Sequence, residues 1–124
     1  MILKTDPTPA RSLQRQRGLA LRLPWYPVLV HGPSMAPTLR HGDALIVRRT
    51  TRARPGDVVV ARFRGRPDLL VVKRVARRDG DGWWLVGDND LITDDSRAYG
   101  VADVAGKVLL RWWPRPARVR RRKV

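Results

Sequence analysis

Cysteine is absent from this sequence, which excludes disulfides, a thiolate nucleophile and any cysteine-ligated zinc centre. Histidine is nearly absent too. His31 and His41 are too few for a histidine-rich metal site, so neither a metal nor another cofactor is expected. Long apolar runs are also missing. The most apolar stretch, GLALRLPWYPVLV (18–30), is broken by Arg22 and two prolines, and it falls short of the ~20 residues of a spanning helix. A secretory signal would need an unbroken apolar region nearer the start and a small-residue cleavage site. A cytoplasmic location is the resulting expectation.

Acidic charge is scarce as well: 26 Lys or Arg face 11 Asp or Glu, a formal net charge of +15. Such a surface attracts polyanions, nucleic acid and anionic lipid included. The arginines are scattered along the whole chain, so charge alone does not define an interface. With 43% hydrophobic residues in 124, the chain has enough apolar surface for one folded domain.

No window carries a convincing helical period. Short runs rich in β-branched residues recur instead: YPVLV (26–30), DALIVRR (43–49), DVVVARF (57–63), DLLVVKRVAR (68–77), GWWLVGD (82–88) and VAGKVLLRWW (104–113). Gly-Asp or Pro turns separate several of them. Five or six strands at this spacing predict an all-β, mainly antiparallel domain, a small coiled or closed β-barrel. The organisation expected is a flexible basic arm (1–21), the β-domain (22–113) and a basic Pro/Arg-rich tail (114–124). Tryptophan pairs 83–84 and 112–113 are expected to alternate between core and solvent, as neighbours on a strand do.

The stretch HGPSMAPTLRHGD (31–43) raises the question of whether Ser34 is a nucleophile. A serine hydroxyl is weak until a nearby base takes its proton. His31 and His41 are close in sequence but have no obvious orienting carboxylate, so a Ser-His-Asp triad is poorly supported. Lysine is the other option. There are only four, and Lys73 interrupts the apolar run DLLVVKRVA. On a strand, Lys73 and Arg74 point to opposite faces, so one of them turns inward. Lysine can lose its proton where arginine cannot. Taken singly, Ser34 reads as a turn residue and Lys73 as a strand cation reaching water.

Four motifs in order change that balance. GPSMAPTLRHGD resembles the nucleophile box of the type I signal peptidase family of serine peptidases, which use a Ser-Lys dyad. RPGDVVVARF resembles the next box, VVKRVARR the box with the catalytic lysine, and GDNDLITDDSRAYG (87–100) the closing box. The resemblance implies the signal peptidase and SOS-repressor protease fold, with Ser34 as nucleophile and Lys73 as general base. It implies that Thr93 orients the lysine, that the Ser34 N–H serves the oxyanion hole, and that Asp95, Ser96 and Arg97 brace the site. Gly32 stands where some members carry a side-chain oxyanion donor, and glycine has none.

The compact, arginine-rich form, with LLRWWPRPAR and GWWLVGDN, looks most like the maturation proteases of nickel-type superoxide dismutase. The implied partner is a protein precursor, that dismutase, losing a short N-terminal leader. Three alternatives stand beside this reading. One is processing of another precursor. A second is self-cleavage of SOS-repressor type, which would need an Ala-Gly or Cys-Gly bond absent from residues 1–33. The third is a non-enzymatic nucleic-acid-binding barrel, which leaves the four boxes unexplained; nucleic acid is not the expected partner. The tail, with seven cations in RWWPRPARVRRRKV, offers contact with an anionic membrane surface, or is simply solvated.

Overall fold

The computed structural model describes residues 2–4 and 24–122. Eight strands form one antiparallel sheet: β1 (Ile2–Lys4), β2 (Trp25–His31), β3 (Ala44–Arg49), β4 (Val58–Phe63), β5 (Arg66–Asp79), β6 (Gly82–Val86), β7 (Ala102–Trp113) and β8 (Ala117–Arg118). A single helical turn, α1 (Ser96–Tyr99), precedes β7. The six strands expected from the β-branched runs are all present. Two differences lie at the ends. Ile2–Lys4, inside the expected arm, pair with β2 and β5; residues 5–21 lie outside the described residues. Ala117–Arg118, inside the expected tail, pair with β7.

Strand pairing runs in two closed circuits. β1-β2-β3-β7-β4-β5 returns from β5 to β1, and β7-β4-β5-β6 returns from β6 to β7. The strands β7, β4 and β5 form a wall shared by both. Each face of that wall therefore meets a core, which explains the near-continuous apolar run of β4. Val58 and Val60 point into a core with Val28, Val30, Met35, Leu45, Val47, Val72 and Val108. Val59, Ala61 and Phe63 point into the other, with Val71, Val75, Trp83, Leu85, Ala102 and Val104. Bulges in the β3–β7, β4–β5, β4–β7 and β5–β6 pairings bend the two long strands so that each serves both circuits.

The turns into β3 and β4 have one design. In Arg40–Asp43 and Arg54–Asp57, the aspartate side chain accepts from the N–H three residues back, at 2.8 and 2.9 Å. The intervening Gly42 and Gly56 have φ of +90° and +93°, a conformation that residues with a Cβ rarely adopt. Asp43 and Asp57 are thus turn residues, as their place after glycine implies. Trp83 is buried and Trp84 half-buried, matching alternation. Trp112 and Trp113 do not match it: they are 48% and 55% exposed. The end of β7 runs past both cores, pairing with Ala44 at the rim and, through Leu110 and Arg111, with β8.

Candidate active site

Ser34 sits in the turn-rich segment between β2 and β3. This loop turns back on itself, with the Ala36 N–H bonded to Pro33 O and Leu39 N–H to Met35 O. Met35 and Leu39 are buried in the first core, so the residue after the serine anchors the loop from below. Ser34 itself is 2% exposed, and its hydroxyl has no hydrogen-bond partner in the described structure. A buried hydroxyl without a partner costs about 1–3 kcal/mol. Such unpaired buried groups are few in native proteins.

Segment 87–89, the start of the Gly-Asp-Asn motif, clamps this loop. The Asn89 N–H donates to Ser34 O at 2.9 Å, and the Asn89 side-chain amide donates to Pro33 O at 3.1 Å. Thr38 Oγ1 donates to Asp88 Oδ2. Gly87 lies against the serine so closely that a Cβ there would sit 2.6 Å from Ser34 O. Glycine is required by backbone proximity, a reason that the motif's spelling does not reveal.

Lys73, on β5, is 1% exposed. Its Nζ reaches Asp94 Oδ1 at 3.4 Å, while the Asp94 side chain is half-exposed. Thr93, the residue expected to orient the lysine, is exposed and makes no side-chain hydrogen bond among the described residues. Asp94, its neighbour, was not singled out from the sequence; in DDSR it reads as one more surface acid. No hydrogen bond joins Ser34 Oγ to Lys73 Nζ here; what links their neighbourhoods is Arg74, next to the lysine.

Arg74 is 2% exposed and holds Asp88 through two parallel bonds, Nε to Oδ1 at 2.8 Å and Nη2 to Oδ2 at 2.7 Å. Its Nη1 donates to Gly56 O at 2.7 Å and to Arg120 O at 3.2 Å. Asp88, just after a glycine, reads from sequence as a turn residue only. In the structure it is the joint between the lysine strand and the nucleophile loop. Burial pushes its carboxyl pKa up, but the Arg74 and Thr38 hydrogen bonds and the Arg74 and Arg122 charges outweigh that and hold it below the ordinary value.

Asp95 and Ser96 bond to residues 85–87, and Arg97 bonds to Asp95. Asp95 is fully buried, caps α1 at the Arg97 N–H (3.0 Å), and takes two bonds from the Arg97 guanidinium. It also accepts from the Gly87 N–H at 3.2 Å. Burial raises its pKa, and the bonds from Arg97 and Gly87 more than offset this, leaving it lowered. Ser96 Oγ accepts from the Leu85 N–H at 2.7 Å. Asp95 thus holds Gly87, two residues before the Asn89 whose N–H bonds the Ser34 carbonyl.

The histidines are engaged elsewhere. His41 Nδ1 accepts from the Gly32 N–H at 3.1 Å, and the His31 and His41 rings pack edge to face at 5.2 Å. Gly32, with φ +87°, turns the chain into the nucleophile loop, and its N–H faces His41.

The sequence matches a known family. The Peptidase S24-like family model matches residues 21–109. The chain belongs to the Peptidase S24-like family. Among its relatives is mitochondrial inner membrane protease subunit 1 of Xenopus tropicalis, 32% identical over 114 aligned positions, covering 70% of this chain and 68% of the relative. The mitochondrial ATP-independent inner membrane protease subunit 1a of Arabidopsis thaliana is 33% identical over 115 positions, covering 68% of each. The human inner membrane protease subunit 1 is 28% identical over 114 positions, covering 70% and 69%. This Peptidase S24-like chain is therefore a signal-peptidase-like peptidase with a mainly β fold. Among the described residues no helix is long and apolar enough to cross a membrane.

Proposed function

We propose that this chain is an endopeptidase that uses a Ser34–Lys73 dyad to remove a short N-terminal segment from a protein precursor. The observation that carries the proposal is the buried, unpartnered Ser34 hydroxyl, held on a clamped loop beside the strand that carries a buried lysine. In the proposed reaction neutral Lys73 takes the Ser34 proton as Oγ attacks the scissile carbonyl. The Ser34 N–H stabilises the resulting oxyanion. Lysine then passes the proton to the leaving amine, and water, activated the same way, hydrolyses the acyl-serine. In this proposal substrate binding opens the 3.4 Å contact between Lys73 Nζ and Asp94, so that Nζ can turn to Ser34. We propose Thr93, the neighbour of Asp94 in sequence, as the uncharged partner that then replaces it.

The nickel superoxide dismutase precursor is the substrate we propose to test first, on the resemblance of LLRWWPRPAR and GWWLVGDN alone. Co-expression with such a precursor, read by intact mass, is the assay. Loss of the leader with the wild-type chain and its retention with Ser34→Ala is the expected pattern. Equal processing by both would refute the serine peptidase assignment. No processing by either moves the search to other precursors, beginning with a peptide library.

A second reading concerns location. Trp25, Leu29, Trp112 and Trp113 are all exposed, and the relatives are named as inner-membrane proteases. Peripheral attachment to an anionic membrane follows from aromatic side chains beside cations, and vesicle flotation with and without anionic lipid tests it against a cytoplasmic location.

A further inference from the structure

A cavity of about 1020 Å³ lies between the 50–54 loop, the start of β6 and the middle of β7. Neither Ser34 nor Lys73 lines it. Six cations do: Arg48, Arg52, Arg54, Arg78, Lys107 and Arg121. Three acids share the cavity, and each already has a cation. Asp81 and Asp103 are both held by Arg64, at 2.9 and 2.8 Å, and Asp57 lies 3.5 Å from Lys107. Arg78 lies over the Trp83 ring, 5.0 Å from its centroid. Arg48, Arg52, Arg54 and Arg121 have no acidic partner among the described residues. Four arginines that line one concavity thus have no acid within salt-bridge distance, and the excess positive charge favours an anion there.

The register ties this cavity to the candidate active site. Arg48 pairs with Lys107, Lys107 with Val59, and Val59 with Lys73. Residues paired across antiparallel strands project to the same face, so these four form one row. Lys107 and Lys73 are two strand spacings apart, roughly 10 Å, or about three residues of extended peptide.

We propose that this cavity is an exosite for an acidic segment of the polypeptide substrate, a few residues from its scissile bond. The inference rests on the peptidase reading above. Carboxylates suit the planar arginine forks, which bind them through two parallel hydrogen bonds. Continuity with a peptide-hydrolysing site selects a polypeptide over nucleic acid, and a recessed cleft gives a duplex no flat surface to rest on.

Binding is measured on the full chain carrying Ser34→Ala, so that no turnover is needed. The probes are fluorescent twelve-residue peptides of Gly, Ser and Ala containing four central Asp or, in the neutral form, four Asn. Wild-type cavity residues should favour the acidic peptide at least tenfold at low salt. Arg52→Gln/Arg54→Gln/Arg121→Gln should abolish that preference. The control Arg77→Gln/Arg115→Gln/Arg118→Gln, which changes net charge equally outside the cavity, should retain it. Arg52→Gln alone, which removes one exposed side chain, should weaken the preference severalfold and covers the case in which the triple variant folds poorly.

Preference kept in the cavity variant, or lost equally in the control, overturns the proposal. Inorganic tripolyphosphate or phosphatidylglycerol vesicles binding more tightly than the acidic peptide, with the same arginine dependence, overturns the peptide as occupant. Because the assay needs no cleavage, its failure leaves the Ser34–Lys73 reading untouched. An inactive wild-type chain that still prefers the acidic peptide refutes only the dyad.

Discussion

Replacing Asp88 with alanine tests the joint between the lysine strand and the nucleophile loop. The wild-type carboxylate is 1% exposed and takes two bonds from Arg74, one from Thr38 and one from Arg122 at 3.2 Å. Asp88→Ala leaves the Arg74 guanidinium buried with two carbonyl acceptors and no counter-charge. Removing one partner of a buried ion pair costs about 3–5 kcal/mol, because the remaining charge is stranded. For a chain of this size that corresponds to a fall of roughly 10–20 °C in Tm. Urea unfolding followed by the fluorescence of the five tryptophans measures it. Removing the charge from both sides, with Arg74→Met/Asp88→Leu, should recover much of the stability, since apolar replacement of a buried pair is often neutral. It should not recover full activity, because Thr38 still lacks its acceptor and the serine loop keeps only the Asn89 part of its clamp. A loss below about 1 kcal/mol in Asp88→Ala, the value of an exposed pair, would refute the claim that this pair holds the site together.

Other outcomes follow from the same geometry. Lys73→Arg should be as inactive as Lys73→Ala, because guanidinium does not give up its proton at working pH; peptide cleavage in a stopped assay decides it. Gly87→Ala should lower kcat by about 100-fold, the cost of displacing a reacting group by around 1 Å, since the new Cβ would meet Ser34 O at 2.6 Å. Near-wild-type kcat would show that the loop tolerates the shift. Thr93→Val should impair cleavage roughly fivefold, the worth of one hydrogen bond near 1 kcal/mol, and an unchanged rate would remove Thr93 from the site. The carboxyls of Asp88 and Asp95 are held below their ordinary range, so their contribution is complete above pH ~4 and is lost as pH falls further, through the folded-state values. Acid unfolding should therefore begin below about pH 4, and Asp88→Asn should flatten that limb.

Much of the fold was legible because its signals are local. β-branched runs and Gly-Asp turns mark strands wherever they occur, and six of the eight strands were expected within two residues at each end. The other two were not, for different reasons. Ala117–Arg118 is a two-residue pairing in a Pro/Arg-rich stretch, where β7 supplies the template and the sequence supplies little. Ile2–Lys4 owes its place to β2 and β5 on either side, a tertiary effect invisible in three residues. Burial on both faces of β4 could be read from VVV, but not which core each valine enters, because that depends on the circuits closing. At the site, the order of the motifs is what points to Ser34 and Lys73. Asp88 and Asp94 were missed because their significance is a distance to a residue elsewhere in the chain.

Arg74 and Lys73 show how the structure separates support from chemistry where the sequence offers two adjacent cations. Both are almost fully buried, and they project to opposite faces of β5. Arg74 has four hydrogen bonds, two to a buried carboxylate and two to carbonyl oxygens. With its charge matched and most of its donors engaged, it is fixed. Lys73 has three donors in its charged form and a single contact, at 3.4 Å, to a carboxylate that is half in water. A buried cation so thinly supported is poor structural material. The unpartnered Ser34 hydroxyl lies on the loop that Arg74 clamps through Asp88. Two adjacent residues on one strand thus differ in kind: the arginine holds the Ser34 loop through Asp88, and the lysine, left with a single contact, is the one available to act as base in the dyad we propose.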